Sequence, residues 1–341
     1  MGVGVNDMDA SLKFYRKFFG MDVAFFDAVA PAPLMDIYTR NSTITKRASM
    51  ILNLQGGGAM EVIRPTSFEP AAPKFEVLPG DLGIFAVQIR TSDIHESHAY
   101  CLMNKAPGLS EISFDPNGKP TFFMNDPDHN VFQFVEDTHN YMQTGQHSGG
   151  VFSCSIGVKD IEKSRKLYSD LLGYDKVLYD KSDKTYDASE SWKDVAVRRV
   201  MLTQSAPAGG GFAKVMGQTG IELVQALDRS PNPLFQDRIW ADNGFVHLGF
   251  DVKGMTLLGQ EFKDEGFGFT CDSNDALDMG STKVHCTYIE DVNGTWLELI
   301  EVFKVPIIEK WGVFLNVEKR DPLKPLPDFM LKALRFSRIK D

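Results

Sequence analysis

Apolar and polar residues alternate through FVHLGFDV (245–252): Val246, Leu248, Phe250 and Val252 share one face, and His247, Gly249 and Asp251 share the other. A period of two marks a strand, whose successive side chains point to opposite sides. The first face predicts packing on helices, and the second predicts the lining of a cavity. DVNGTWLELIEV (291–302) opens with turn residues and runs into another strand, in which Trp296, Glu298 and Ile300 share a face. An ionised carboxylate between large apolar neighbours is costly without a partner, so Glu298 is expected to have one.

A longer pattern organises the chain. VNDMDASLKFYRKFFGMDVAFFD (5–27) aligns without a gap on VKDIEKSRKLYSDLLGYDKVLYD (158–180). Val5/Val158, Asp7/Asp160, Ser11/Ser164, Lys13/Lys166, Tyr15/Tyr168, Gly20/Gly173, Asp22/Asp175 and Asp27/Asp180 are identical. Each copy reads as strand, helix, strand. Asp7 or Asp160 is the predicted N-cap, and Gly20 or Gly173 the left-handed residue past the helix end. Ile161, Tyr168, Leu171 and Leu172 give an apolar helical stripe. Further strand runs follow, ASMILNLQ and AMEVIRP in the first copy and VAVRRVMLTQ and GIELVQAL in the second. GIFAVQIRTSDI (83–94) opens a second unit of the same order, and FVHLGFDVKGM (245–255) opens a fourth. Aligning these two sets Asp126 under Asp291 and Gln133 under Glu298. The prediction is an α+β chain of four βαβββ modules. Residues 1–138 form an N-terminal pair, 139–150 a polar linker, 151–303 a C-terminal pair, and 304–341 a proline-rich tail with a short terminal helix.

Composition narrows the function. A chain of 341 residues is long enough for about two domains. The net charge is −10 and the basic residues are scattered, which argues against a nucleic-acid partner. No window reaches the roughly 18 apolar residues of a membrane span, and the N-terminus lacks the build of a signal peptide. Cys101, Cys154, Cys271 and Cys286 form no C-x-x-C pair. A thiolate zinc site is therefore disfavoured, and a reducing cytoplasmic compartment is the simpler expectation.

The four units, through VKDIEKSRKLYSDLLG, FVHLGFDV, DPDHNVFQFVE and DVNGTWLELIE, resemble the vicinal oxygen chelate superfamily. Its members include glyoxalase I, extradiol dioxygenases, methylmalonyl-CoA epimerase and bleomycin-resistance proteins. The resemblance implies modules paired into two domains, each a curled mixed sheet, or open barrel, with helices outside. In that family the barrel surrounds a divalent metal held by a first-strand His and a last-strand Glu. His247 and Glu298 match both positions in the fourth unit. In the third, Glu222 matches the carboxylate while Ser153 takes the His position. In the first, Glu61 matches and the His position falls ahead of Met1, so Glu61 is expected to be structural. The second unit, with Ile84 and Gln133, matches neither. The expected metal ligands are thus His247, Glu298 and Glu222, all in the second half. Imidazole with two carboxylates suits Zn, Fe(II), Mn, Ni or Co.

The resemblance further implies a glyoxalase-like lyase or isomerase, acting on a small substrate with adjacent oxygens through an enolate-like intermediate. Glu222 would leave the ion to act as base. Tyr288, Asp291, Gly294 and Glu298 are spaced as in extradiol dioxygenases, with Val292 where proline is usual. An Fe(II) dioxygenase is therefore the alternative, with Tyr288 and the nearby His285 as catalytic candidates. Ser153, standing where those dioxygenases have a ligand, argues against it. A non-catalytic small-molecule binding or resistance protein is the third reading. The fold is also compatible with a homodimer.

Overall fold

The computed structural model describes residues 1–183, 192–274, 277–279, 282–308, 313–316, 320–321 and 323–339. The first module comprises β1 (Gly2–Gly4), α1 (Met8–Phe19), β2 (Val23–Pro31), β3 (Thr45–Leu52) and β4 (Met60–Pro65). Asp7 caps α1 by accepting from the backbone N–H groups of Asp9 and Ala10, and Gly20 closes it in the left-handed region. The second module holds β5 (Gly83–Thr91), α2 (Ile94–Met103), β6 (Ser113–Phe114), β7 (Pro120–Asn125) and β8 (Val131–Glu136). The third holds β9 (Val151–Gly157), α3 (Ile161–Arg165), β10 (Lys176–Asp183), β11 (Val197–Thr203), α4 (Ala213–Met216) and β12 (Gly220–Ala226). Asp160 caps α3, which widens into a π-helical turn over Lys166–Leu171. The fourth holds β13 (Gly244–Asp251), α5 (Met255–Asp264), β14 (Cys271–Asp272), β15 (Leu277–Met279), β16 (Thr282–Glu290) and β17 (Trp296–Ile308).

The strands form two curled mixed sheets. One runs β14-β16-β17-β13-β1-β4-β3-β2 and so joins the fourth module to the first. The other runs β10-β11-β12-β9-β5-β8-β7-β6 and joins the third to the second. The junctions are antiparallel pairs, β1 with β13 and β5 with β9. The sheets therefore pair the first module with the fourth and the second with the third, contrary to the pairing of first with second and third with fourth expected from the sequence. Hydrophobic pattern defines each module, but the first-strand edge of a module is satisfied by any compatible first-strand edge. Which edge it meets is a tertiary matter.

The first module is tied to the second, and the third to the fourth, by a matched side-chain bond. The Tyr15 hydroxyl donates to Asp126 at 2.7 Å, and the Tyr168 hydroxyl donates to Asp291 at 3.0 Å. Each Asp also accepts two backbone N–H groups of its own turn, from Asp128 and Asn130 or from Asn293 and Thr295. The tyrosines and aspartates that match in the repeat thus do the same work twice.

One core lies on the helix side of both sheets and draws Phe19, Phe134, Leu223 and Leu299 from all four modules. A second, on the inner face of the first sheet, contains Tyr38, Trp240, Val246 and Tyr288. A third, on the inner face of the other sheet, contains Phe85, Phe123, Trp192 and Val224. The tail begins as an extension of the first sheet, where the end of β17 pairs with β18 (Val313–Asn316). It ends in α6 (Asp328–Ala333) and a short 3-10 turn. Part of it (309–312, 317–319, 322 and 340–341) lies outside the described residues. No helix among the described residues is long and apolar enough to cross a membrane.

Candidate metal centre

Register brings the centre together. β1 lies between β4 and β13, and Gly2 sits opposite Glu61 on one side and His247 on the other. On β17, Glu298 sits opposite Gly249, two residues beyond His247 and hence on the same face. The pairing slips between Gly2/His247 and Val3/Phe245, which leaves Val246 as an extra residue in β13. This bulge breaks the simple alternation read from the sequence. Phe245 and Leu248 pack on the helix side, while Val246 joins the inner cluster with Tyr288 and Trp240. Bulges commonly re-aim a side chain beside a site.

Gly2 has no side chain for a reason visible here. A Cβ at this position would lie 2.3 Å from His247 Cε1. Gly2→Ala is therefore expected to displace the imidazole and weaken divalent-ion retention by about 10–100-fold, the range typical of lost orienting contacts. Titration with Zn(II) against a chelating indicator reads this, and far-UV circular dichroism should be unchanged.

His247 Nε2 lies 3.4 Å from Glu61 Oε2 and 3.3 Å from Glu298 Oε2. One donor atom from each residue falls within 4.8 Å of the other two. Among the described residues, this is the one cluster of three or more His, Cys, Asp or Glu side chains close enough to share an ion. On the other edge of the ring, Nδ1 lies 3.2 Å from the Tyr288 hydroxyl, which donates to Glu298 Oε1 at 3.1 Å. An Nδ1–H bond to Tyr288 fixes the tautomer that turns the Nε2 lone pair toward the carboxylates. Cys286 donates to Glu298 Oε1 at 3.3 Å, and Lys46 Nζ lies 3.7 Å from Glu61 Oε1.

Electrostatics in this pocket favour ions. Burial alone would depress the His247 pKa, but Glu298 and Glu61 outweigh it and push it up to about 9. Burial would likewise raise Glu61, yet Lys46 and then His247 hold it down at about 2. Burial, reinforced by Glu298, pushes the Tyr288 hydroxyl and the Cys286 thiol well up, so both remain hydrogen-bond donors. Without a metal, the imidazolium supplies the positive charge that the buried Glu61 and half-buried Glu298 carboxylates require.

The residues fit a divalent ion. Zinc-like bonds of about 2.0–2.2 Å set neighbouring ligands roughly 3 Å apart, close to the separations of Nε2 from the two carboxylates. An imidazole and two carboxylates form a mixed N/O set, and an ion they hold keeps positions open for substrate oxygen.

Two residues expected at the centre lie elsewhere. Glu222 is on the inner face of the second sheet, wholly buried, where it accepts from Arg199 Nε at 2.7 Å, Tyr179 at 2.6 Å and Ser155 at 2.5 Å. Register makes this the counterpart of the metal centre. Gln133 pairs with Gln88, Gln88 with Ser153 and Glu222 with Ser155, as Glu61 pairs with Gly2, Gly2 with His247 and Glu298 with Gly249. Ser153 and Gln133 thus stand where His247 and Glu61 would be. Gln88 bonds to both of them, and Arg199 supplies the cation. His285 is the other correction. β16 turns Cys286 and Tyr288 inward, so His285 projects from the opposite face, where it bonds Asp272 at 2.6 Å.

Glu61, expected to be structural because its own module offers no histidine, lies beside His247, which arrives from the fourth module. Its alignment with Glu222 was the available signal. An aromatic wall of Tyr38, Phe235, Trp240 and Trp296 faces the centre. A cleft of about 320 Å³ shares Phe235 and Trp296 with that wall and is also lined by Val246.

Residues 1–134 and 154–284 each match the family described as the glyoxalase/bleomycin resistance protein/dioxygenase superfamily. No curated protein matches the chain in sequence. Among solved structures, glyoxalase I from Zea mays is similar at 16% identity and a TM-score of 0.55, with 88% of this chain and 90% of that chain covered. A mutant of the same maize enzyme gives 16%, 0.57, 88% and 90%. A Bacillus subtilis protein described as a candidate dioxygenase gives 10% identity and a TM-score of 0.56 over 88% of this chain and 83% of that one. At these identities the structural likeness speaks for the fold alone, and the sequence matches carry the assignment. With two such modules matched along its length and the strand order to go with them, the chain belongs to the glyoxalase/bleomycin resistance protein/dioxygenase superfamily.

Proposed function

We propose that His247, Glu61 and Glu298 hold a divalent ion, and that the protein is a glyoxalase-like lyase or isomerase for a small substrate with adjacent oxygens. The observation that carries this reading is the convergence of two buried donors, Glu61 and His247, and the half-buried Glu298, from two distant modules, on one point. A bound ion supplies Lewis-acid polarisation of a substrate oxygen. The chain supplies the rest. Glu298 presents Oε2 toward His247 and keeps Oε1 on Tyr288, so Oε1 is the atom assigned to accept a substrate proton. The Tyr288 hydroxyl, held protonated, donates a hydrogen bond to that oxygen, and Glu298 itself would return the proton to the substrate. Lys46 keeps Glu61 ionised, which suits a ligand better than a base. The aromatic wall keeps water from the reacting carbon.

The dioxygenase alternative is less favoured by the donor set. Non-haem Fe(II) oxygenases use two histidines and one carboxylate, and this centre has the reverse.

The test is metal analysis of the untreated protein, followed by assays with α-oxoaldehyde–thiol adducts and with catechols. Turnover of the adducts with a bound divalent ion supports the proposal. Oxygen uptake with catechols and bound iron would overturn it in favour of the dioxygenase. In the same assay, Tyr288→Phe is expected to keep the ion and lower kcat by roughly 10²-fold.

A further inference from the structure

A second cavity, of about 680 Å³, lies far from this chemistry in character and place. Its lining combines Lys13, Arg16 and Lys17 of α1 with Arg335 and Arg338 of the C-terminal segment. Among the described residues, Asp22 is the one carboxylate in that lining, and Arg338 and Gln146 already occupy its Oδ2, Arg338 at 2.6 Å. Lys13, Lys17 and Arg335 have no ion-pair partner among the described residues. A chain with a net charge of −10 has acidic residues to spare, yet this cleft concentrates cations.

Two ordinary explanations fall short. Basic residues in a last helical turn complement the helix dipole, which accounts for Arg16 and Lys17. It does not account for Lys13, which repels Lys17 four residues on, nor for the arginines brought from the tail. Folding the tail against α1 adds positive charge to positive charge. Arg338 bridges to Val23 and Asp22 and fixes the segment in place. Phe336 is left 79% exposed at the rim, beside Tyr100 of α2.

We propose that this cleft binds a small molecule carrying two or more phosphate groups and a flat ring, the chemistry of a nucleoside di- or triphosphate. Lys13, Lys17 and Arg335 take the phosphates, and Phe336 offers a face to the ring. The volume is in the range of small-molecule sites. The site is separate from the metal centre, because β4 turns Val62 toward α1 and Glu61 and Ile63 toward the opposite side.

Isothermal titration of the full chain with ADP, tripolyphosphate and adenosine tests the proposal. ADP is expected to bind saturably and more weakly as salt rises. The Lys13→Glu/Lys17→Glu variant, and separately Arg335→Ala, should weaken ADP by about tenfold or more. Phe336→Ala should weaken ADP and leave tripolyphosphate unchanged. His247→Ala should leave ADP binding intact. Absence of saturable ADP binding, or an affinity indifferent to the charge variants, overturns the site. Loss of ADP binding in His247→Ala would place the nucleotide on the metal centre and also overturn it. Tripolyphosphate binding as tightly as ADP, with Phe336→Ala silent, overturns the ring contact.

Discussion

His247→Ala is expected to lose the bound divalent ion, with affinity down by more than about 100-fold, above the range for an orienting residue alone. The imidazole is the nitrogen donor of the cluster and, among the described residues, the one that lies within hydrogen-bonding range of both carboxylates. Glu61→Gln and Glu298→Gln should each weaken binding as well, because an amide oxygen carries no charge to offset the ion. Glu222→Gln should leave the ion content unchanged, since Glu222 lies in the other sheet against Arg199. Elemental analysis of the four purified variants, with native mass spectrometry for stoichiometry, reads all of this at once. A protein that loses its ion with Glu222→Gln but keeps it with Glu61→Gln would sink the assignment of ligands.

Arg199→Met is expected to cost about 3–5 kcal/mol of stability, the usual penalty for stranding one member of a buried ion pair. Glu222 is fully buried and its Oε1 accepts from the guanidinium, so removal of that cation leaves a charge in a low-dielectric interior. The double variant Arg199→Met/Glu222→Leu should recover much of the loss, because a well-packed apolar pair is often as stable as a buried ionic one. Urea unfolding of the single and double variants gives the coupling directly. If Arg199→Met unfolds within about 1 kcal/mol of the parent, the guanidinium does not stand in for a metal there.

The caps and modules were legible because they are local. Asp7 and Asp160 bond backbone groups two or three residues away, and Gly20 and Gly173 adopt the positive φ that their positions after a helix predict. Tyr288 was also legible, since strand parity sets it opposite Glu298. His285 failed on the same parity: proximity along the chain to Tyr288 put it on the wrong face. Val246 failed because a bulge arises from two strands meeting, and neither strand alone encodes it.

The sequence by itself determined the four modules, their caps, and the His247–Glu298 pair, which sits on adjacent parallel strands of one module. It also carried the asymmetry between a Glu298 position and a Gln133 position. Only the tertiary structure decided that β1 lies against β13 and β5 against β9, a choice that sets Glu61 beside His247 and keeps Glu222 in the other sheet. The physical reason is that a strand edge offers the same row of N–H and C=O groups to any partner. Hydrophobic periodicity specifies which face is buried, while the choice of edge depends on long-range contacts, from Ile89 with Val151 to Gly2 with His247.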